Sequence, residues 1–322
     1  MTSSDSDHAH LAAYQQFLQR NRLPEHYLNE AKQWFTPLIR SLYRYVKRQP
    51  GKTILVVISG CQGSGKSTLA DYLCTSLEQS HNISAIKISL DDFYLGKAAR
   101  QTLADSIHPL LATRGVPGTH DTQFAIELLT QLKLQQSGTL QIPQFNKAID
   151  DYQAGKSQSI KLPVQVIIFE GWCLGAEAQS PQQLEQAINP LELEHDADGR
   201  WRNFVNNALA TQYRELFSLI DHWVMLKAPS FKHVFQWREE QEQKLADRIS
   251  SKQASDYQTD PSQNDQSTHI MNAEELDYFI QHYQRITEHC LSTLPDKVHH
   301  LYELNSHRKI IDYSQPLEFP SQ

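Results

Sequence analysis

No apolar run in this chain is long enough to cross a bilayer. The longest, residues 54–58 and 164–169, have the length of buried strands. The N-terminus, MTSSDSDHAH, lacks a basic start followed by an apolar segment, so no secretory leader is expected. Cysteine is scarce: Cys61, Cys74, Cys173 and Cys290 are the four, and none falls in a C-x-x-C pair. They read as small buried apolar residues of a reduced, cytoplasmic protein. An excess of positive charge is missing as well. The 30 Lys and Arg against 37 Asp and Glu leave a net charge of −7. Affinity for a phosphate backbone comes from dense Lys and Arg, so no nucleic-acid partner is expected, and no membrane partner either.

At 322 residues the chain is long enough to bury a sizeable core. Residues 1–10 are polar and read as frayed. Residues 11–48 carry apolar residues at helical spacing, interrupted at Pro24, which predicts two helices. Strand and helix patterns then alternate. Residues 53–59 (TILVVIS) read as a central strand, 67–79 as a helix, 83–90 (ISAIKISL) as a strand and 122–135 as a helix. Residues 164–169 (VQVIIF) read as a strand, 208–219 as a helix, 222–226 (HWVML) as a strand and 231–248 as a charged helix. Residues 274–293 read as a helix and 298–304 (VHHLYEL) as a last strand. That order predicts an α/β fold, an open parallel five-stranded sheet with helices on both faces. Residues 1–50 form a helical extension to a main domain at 51–315. Residues 250–268 have almost no apolar side chains and read as the tip of a mobile lid at about 231–270.

The segment from Gly60 reads GCQGSGKS, a full match to G-x-x-x-x-G-K-[ST], between an apolar strand and a helix. Gly60, Gly63 and Gly65 permit unusual backbone angles and close approach to phosphates. Successive N–H groups then form an anion nest, and the next helix points its positive end at the same place. Gly60, Cys61, Gln62, Gly63, Ser64, Gly65, Lys66, Ser67 and Thr68 are therefore the expected ATP contacts of a P-loop NTPase fold. Lys66 would reach the β- and γ-phosphates, and the Ser67 hydroxyl would bind Mg²⁺.

Carboxylates decide between binding and transfer. The strand at 83–90 ends in Asp91-Asp92, and ligands gather at the carboxyl ends of parallel strands. One of the pair can take a proton from an attacking hydroxyl while the other holds Mg²⁺ or its waters, so Asp91 and Asp92 are both catalytic candidates and Asp91 is also a candidate metal ligand. Glu170 follows the strand at 164–169 directly, placed like a Walker-B acid to orient a metal-bound water. In the loop TRGVPGTHD, Arg114 offers a fork for a carboxylate or phosphate, beside His120 and Asp121. Lys147, in FNKAIDD, is a further positive contact for the acceptor. Arg238, in the charged helix, is the candidate to close over the γ-phosphate and stabilise transition-state charge.

With these motifs assembled, the chain resembles the D-glycerate 3-kinases of plant and cyanobacterial type, within the P-loop kinases that include uridine kinase, pantothenate kinase and phosphoribulokinase. The resemblance rests on GCQGSGKSTLA at 60–70, SLDDFYL at 89–95, RGVPGTHD at 114–121, FNKAIDD at 145–151, IIFEGWCLG at 167–175 and WREEQE at 237–242. It implies transfer of the ATP γ-phosphate to a hydroxyl of a small acid such as D-glycerate, with Arg114, His120 and Asp121 lining the acceptor side. A uridine- or pantothenate-like acceptor is the alternative within the group. A non-catalytic ATP-binding regulatory protein is the alternative outside it.

Overall fold

The computed structural model describes residues 3–240, 243 and 271–317. In chain order its strands are β1 (Ile54–Gly60), β2 (Ala85–Ser89), β3 (Thr139–Asn146), β4 (Asp151–Lys161), β5 (Val166–Gly171), β6 (His222–Lys227), β7 (His300–Leu304) and β8 (Ile310–Ser314). Its helices are α1 (Ser3–Asn21), α2 (Tyr27–Arg48), α3 (Lys66–His81), α4 (Lys97–Ser106), α5 (Thr122–Leu134), α6 (Pro181–Leu184), α7 (Pro190–His195), α8 (Arg200–Ala208), α9 (Arg214–Phe217), α10 (231–240) and α11 (Ala273–Thr293).

All seven residues of β1 are buried, as a β-branched apolar run covered on both faces should be. Its alternate side chains divide between two cores. Ile54, Val56 and Ile58 meet Phe17, Phe35, Leu38 and Leu73 from α1, α2 and α3. Leu55 and Val57 meet Leu128, Leu129, Phe169 and Ile286 on the other side. The strand order is β2-β5-β1-β6-β7-β8, and the first five are parallel, as the alternation predicts. β8 adds an antiparallel edge.

Several elements depart from the pattern reading. Helix α1 begins at Ser3, so the turn expected to fray continues the helix, with no proline or glycine before Asn21 to stop it. The helix expected from residue 208 starts at Arg200, where the Asp196 carboxylate accepts the N–H groups of Trp201 and Arg202. It then passes through a π turn at Leu209–Tyr213 before α9. Strands β3 and β4 form a separate antiparallel hairpin that the sequence reading missed. Of the charged helix expected at 231–248, residues 231–240 are α10, with Val234 and Trp237 buried. The lid tip at 250–268 lies outside the described residues.

The N-terminal helices are joined to α3 by a buried acid. Asp71 is 5% exposed and accepts from Arg20 Nε at 2.5 Å, Lys87 Nζ at 2.9 Å and Asn21 Nδ2 at 2.5 Å. Burial alone would raise its pKa, but these three donors outweigh burial and hold it below the ordinary value. Arg20→Ala strands that carboxylate with two donors instead of three. It should cost about 2 kcal/mol of stability, below the 3–5 of a fully broken buried pair because Lys87 and Asn21 remain. Guanidinium denaturation of the variant checks this, and an unchanged midpoint refutes it.

Candidate active site

The carboxyl end of β1 delivers Gly60, and the chain turns from there into α3. A Cβ on Gly60 would sit 2.8 Å from both the Leu226 carbonyl oxygen and Ser64 Oγ, so only glycine fits. Gly65 lies at φ +94° and opens α3, whose first turn carries no side-chain cap. Its free amide ends therefore face the loop, the arrangement that binds an anion. Lys66 Nζ donates to the Cys61 carbonyl at 3.0 Å, curling back over the loop. Burial pushes the Cys61 thiol up to about 12, against the pull of Lys66, so it stays protonated.

Parallel pairing of β5 with β1 sets Ile58 beside Glu170, two residues short of Gly60. There Ser67 Oγ donates to Glu170 Oε1 at 2.7 Å. The P-loop hydroxyl and the strand-end acid are thus in direct contact. Together they present side-chain oxygens of the kind a hard divalent cation takes.

Beyond β2 a single 3₁₀ turn, Leu90–Phe93, carries the two aspartates. Asp91 accepts from Tyr94 Oη at 2.6 Å and from Lys147 Nζ at 2.5 Å. Its partly buried position would raise its pKa, but the Lys147 charge and these hydrogen bonds pull it down to about 2. Asp92 Oδ1 accepts the Phe145 N–H at 3.3 Å. Burial, opposed by that N–H and reinforced by the Asp91 charge, pushes Asp92 up to about 6. Adjacent in sequence, the two carboxylates have been given opposite proton affinities.

The loop after α4 is shaped by glycines. Gly115 has φ +115°, and a Cβ there would lie 2.5 Å from Tyr283 Oη. Trp172 Nε1 donates to the Gly115 carbonyl at 2.9 Å, and Tyr283 Oη donates to that of Arg114 at 2.8 Å. The Arg114 guanidinium carbon sits 5.9 Å from the centre of the Phe145 ring. His120 is 3% exposed; its Nδ1 is hydrogen-bonded to Tyr213 Oη, and its ring lies over Tyr94 at 4.8 Å. Burial drives its pKa down to about 4 despite the Asp91 charge, so the imidazole is neutral. The π turn carries Tyr213 into this contact. Asp121 caps α5, with Oδ1 accepting the Phe124 N–H at 2.9 Å.

Lys66, Ser67, Glu170, Asp91, Asp92, Lys147 and His120 are thus gathered around the carboxyl ends of β1, β2 and β5. Lys147 is drawn into the cluster by its ion pair with Asp91. The Arg238 guanidinium carbon lies 5.9 Å from the centre of the Phe279 ring on α11. Gln62 Oε1 and Ser64 Oγ are buried in the cradle without a hydrogen-bond partner among the described residues. Sequence reasoning gave no role to Tyr94, Arg100, Asp150 or Tyr213. The acid pair closing FNKAIDD was the one visible signal for Asp150.

No family model matches the chain. It is 32% identical over 288 residues to a Schizosaccharomyces pombe protein described as uncharacterized kinase mug58, covering 84% of this chain and 92% of that one. It is 31% identical over 198 residues to the chloroplastic D-glycerate 3-kinase of Arabidopsis thaliana, covering 58% of this chain and 40% of that one. Among solved structures, a D-glycerate 3-kinase from Cryptococcus neoformans superposes with a TM-score of 0.66 at 23% identity, over 86% of this chain and 96% of that one. That likeness shows the fold.

Proposed function

The chain belongs to the P-loop kinase family that includes mug58 and D-glycerate 3-kinase, and from that premise we propose that it transfers the γ-phosphate of ATP to a hydroxyl of a small acid, D-glycerate foremost. The observation that carries the reading is the pair of neighbouring carboxylates with opposed proton affinities, set beside the phosphate cradle. A base near neutrality next to a permanently ionised acid divides the two tasks of transfer.

In this reading the cradle amides and Lys66 bind the phosphate chain. Ser67, Glu170 and Asp91 would hold Mg²⁺, which when bound neutralises phosphate charge and fixes its geometry. Lys66 leaves the Cys61 carbonyl to meet the phosphates, and Lys147 leaves Asp91 to meet the acceptor. Asp92 accepts the proton of the attacking hydroxyl. Arg114 offers its fork to the acceptor carboxylate, across the apolar face of Phe145. His120, neutral and locked by Tyr213, packs behind Tyr94 and holds Asp91 in place, and Asp121 sets the loop by capping α5. Arg238, on α10, closes toward the γ-phosphate on substrate binding. Four buried, unbridged cysteines support a reducing, cytoplasmic setting.

Incubation of the purified protein with ATP, Mg²⁺ and D-glycerate should yield phosphoglycerate and ADP in equal amounts. ADP release at the level of a no-acceptor control sinks the glycerate assignment. Turnover on uridine or a pantothenate-like acid instead retains the kinase and moves the acceptor.

A further inference from the structure

Residues 147–150 turn β3 into β4, and this turn carries both Lys147 and Asp150. Asp150 lies at φ +55°, in the left-handed region that Asp and Asn enter more readily than other side chains. Its carboxylate is shared between two arginines. Oδ1 receives Arg114 Nη1 at 2.5 Å, and Oδ2 receives Arg100 Nη2.

The two arginines differ in freedom. Arg100 is 1% exposed, and its Nε and Nη1 donate to the carbonyls of Ala112 at 3.2 Å and Leu95 at 2.8 Å. It is a fixed post. Arg114 keeps 27% of its side-chain surface open, and its other donors find no protein partner among the described residues. Both guanidinium carbons lie 5.9 Å from the centre of the Phe145 ring. Asp150 therefore ties the part-exposed fork to the buried one and leaves one edge of the Arg114 fork open.

We infer that Asp150 is a positioning residue for acceptor selectivity, holding Arg114 so that its open N–H edge meets the carboxylate of the acceptor. The inference rests on the acidic-acceptor reading above. Positioning and bulk charge predict opposite results. Neutralising Asp150 raises the net charge of the trio from +1 to +2. If charge alone drew the acceptor, an acid would bind more tightly. If the fork must be oriented, the acid binds less well, because bidentate pairing needs a fixed plane.

Asp150→Asn separates these, since Asn keeps the left-handed backbone and the side-chain shape. The readout is kcat/KM for D-glycerate divided by that for glycerol, which shares the carbon skeleton but lacks the carboxylate. The expected result is a fall in that ratio of about tenfold or more, through acceptor KM, with KM for ATP within about twofold. Arg114→Lys should lose the same ratio, and adding Asp150→Asn to it should change little further. Arg100 is buried, and losing its counter-charge can prevent folding. In that case Arg100→Met with Asp150→Asn removes both charges, and the same ratio is read. An unchanged ratio, or a lower acceptor KM in Asp150→Asn, overturns the inference while the acceptor reading stands. A wild type that phosphorylates no hydroxy-acid overturns both.

Discussion

Asp92→Asn should remove phosphoryl transfer to about one part in a thousand, while ATP binds within about twofold of wild type. The magnitude is that of losing a general base, about 10² to 10⁴ in rate. The substitution is nearly isosteric. The oxygen of the new side-chain amide would still accept the Phe145 N–H, so the 3₁₀ turn and the hairpin contact survive. Tyr152 Oη donates to the backbone carbonyl of residue 92, a bond that no side-chain change touches. What is lost is a carboxylate whose pKa, raised to about 6, leaves it ionised at neutral pH yet basic enough to take a proton. Asp91→Asn tests a different task. It removes the charge that pairs with Lys147 and one of the two oxygens that accept from Lys147 and Tyr94, so it should weaken the response to Mg²⁺ as well as turnover. Isothermal titration with ATP and a steady-state assay read the two effects separately. An Asp92→Asn enzyme within tenfold of wild type would refute the base assignment.

The cradle was legible in the sequence because it is local. Its glycines, lysine and serine are contiguous, and the turn they specify needs only the strand before it and the helix after it. The Ser67–Glu170 contact was legible one level up. An acid ending a buried parallel strand next to β1 has to emerge beside the P-loop. The division between Asp91 and Asp92 was not, because Lys147 and the Phe145 N–H that create it come from a hairpin more than fifty residues away. That hairpin itself was hidden. Its strands bury little beyond Ile142, Phe145 and Ile160, too few to write a clear two-residue alternation. Tyr213 reaches His120 through a π turn, which leaves no mark on helical periodicity.

Acid should unfold this protein steeply below about pH 6. Part of the cause lies at the end of the sheet opposite the cradle, where His222 opens β6 and His300, preceded by His299, opens β7. His222 stacks on His299 at 4.4 Å and lies 5.1 Å from His300, whose Nδ1 is hydrogen-bonded to Tyr313 Oη at 2.8 Å. His222 and His300 are both 0% exposed. Burial, reinforced by the neighbouring imidazoles, drives their pKa values down to about 2 and about 3. His282 and His120 are driven by burial to about 4. In the unfolded chain each would titrate near 6.5. The unfolded state therefore binds more protons than the fold whenever the pH is below that value, and stability must fall as pH falls. Above about pH 7 these groups are neutral in both states and contribute no slope. Each costs about 1 kcal/mol between pH 6.5 and 5.5, so four together cost about 4 kcal/mol, a large share of an ordinary domain's stability. His120, against Tyr213, and His282, against Trp201, lie away from the His222–His300 pair, so no single substitution should abolish the effect. His300→Phe should flatten the slope below pH 6 by about 1.4 kcal/mol per pH unit. Urea denaturation at pH 7.5, 6.5 and 5.5 measures the slope directly. Equal stabilities across that range would mean that these imidazoles find proton acceptors in the fold, and would refute the prediction.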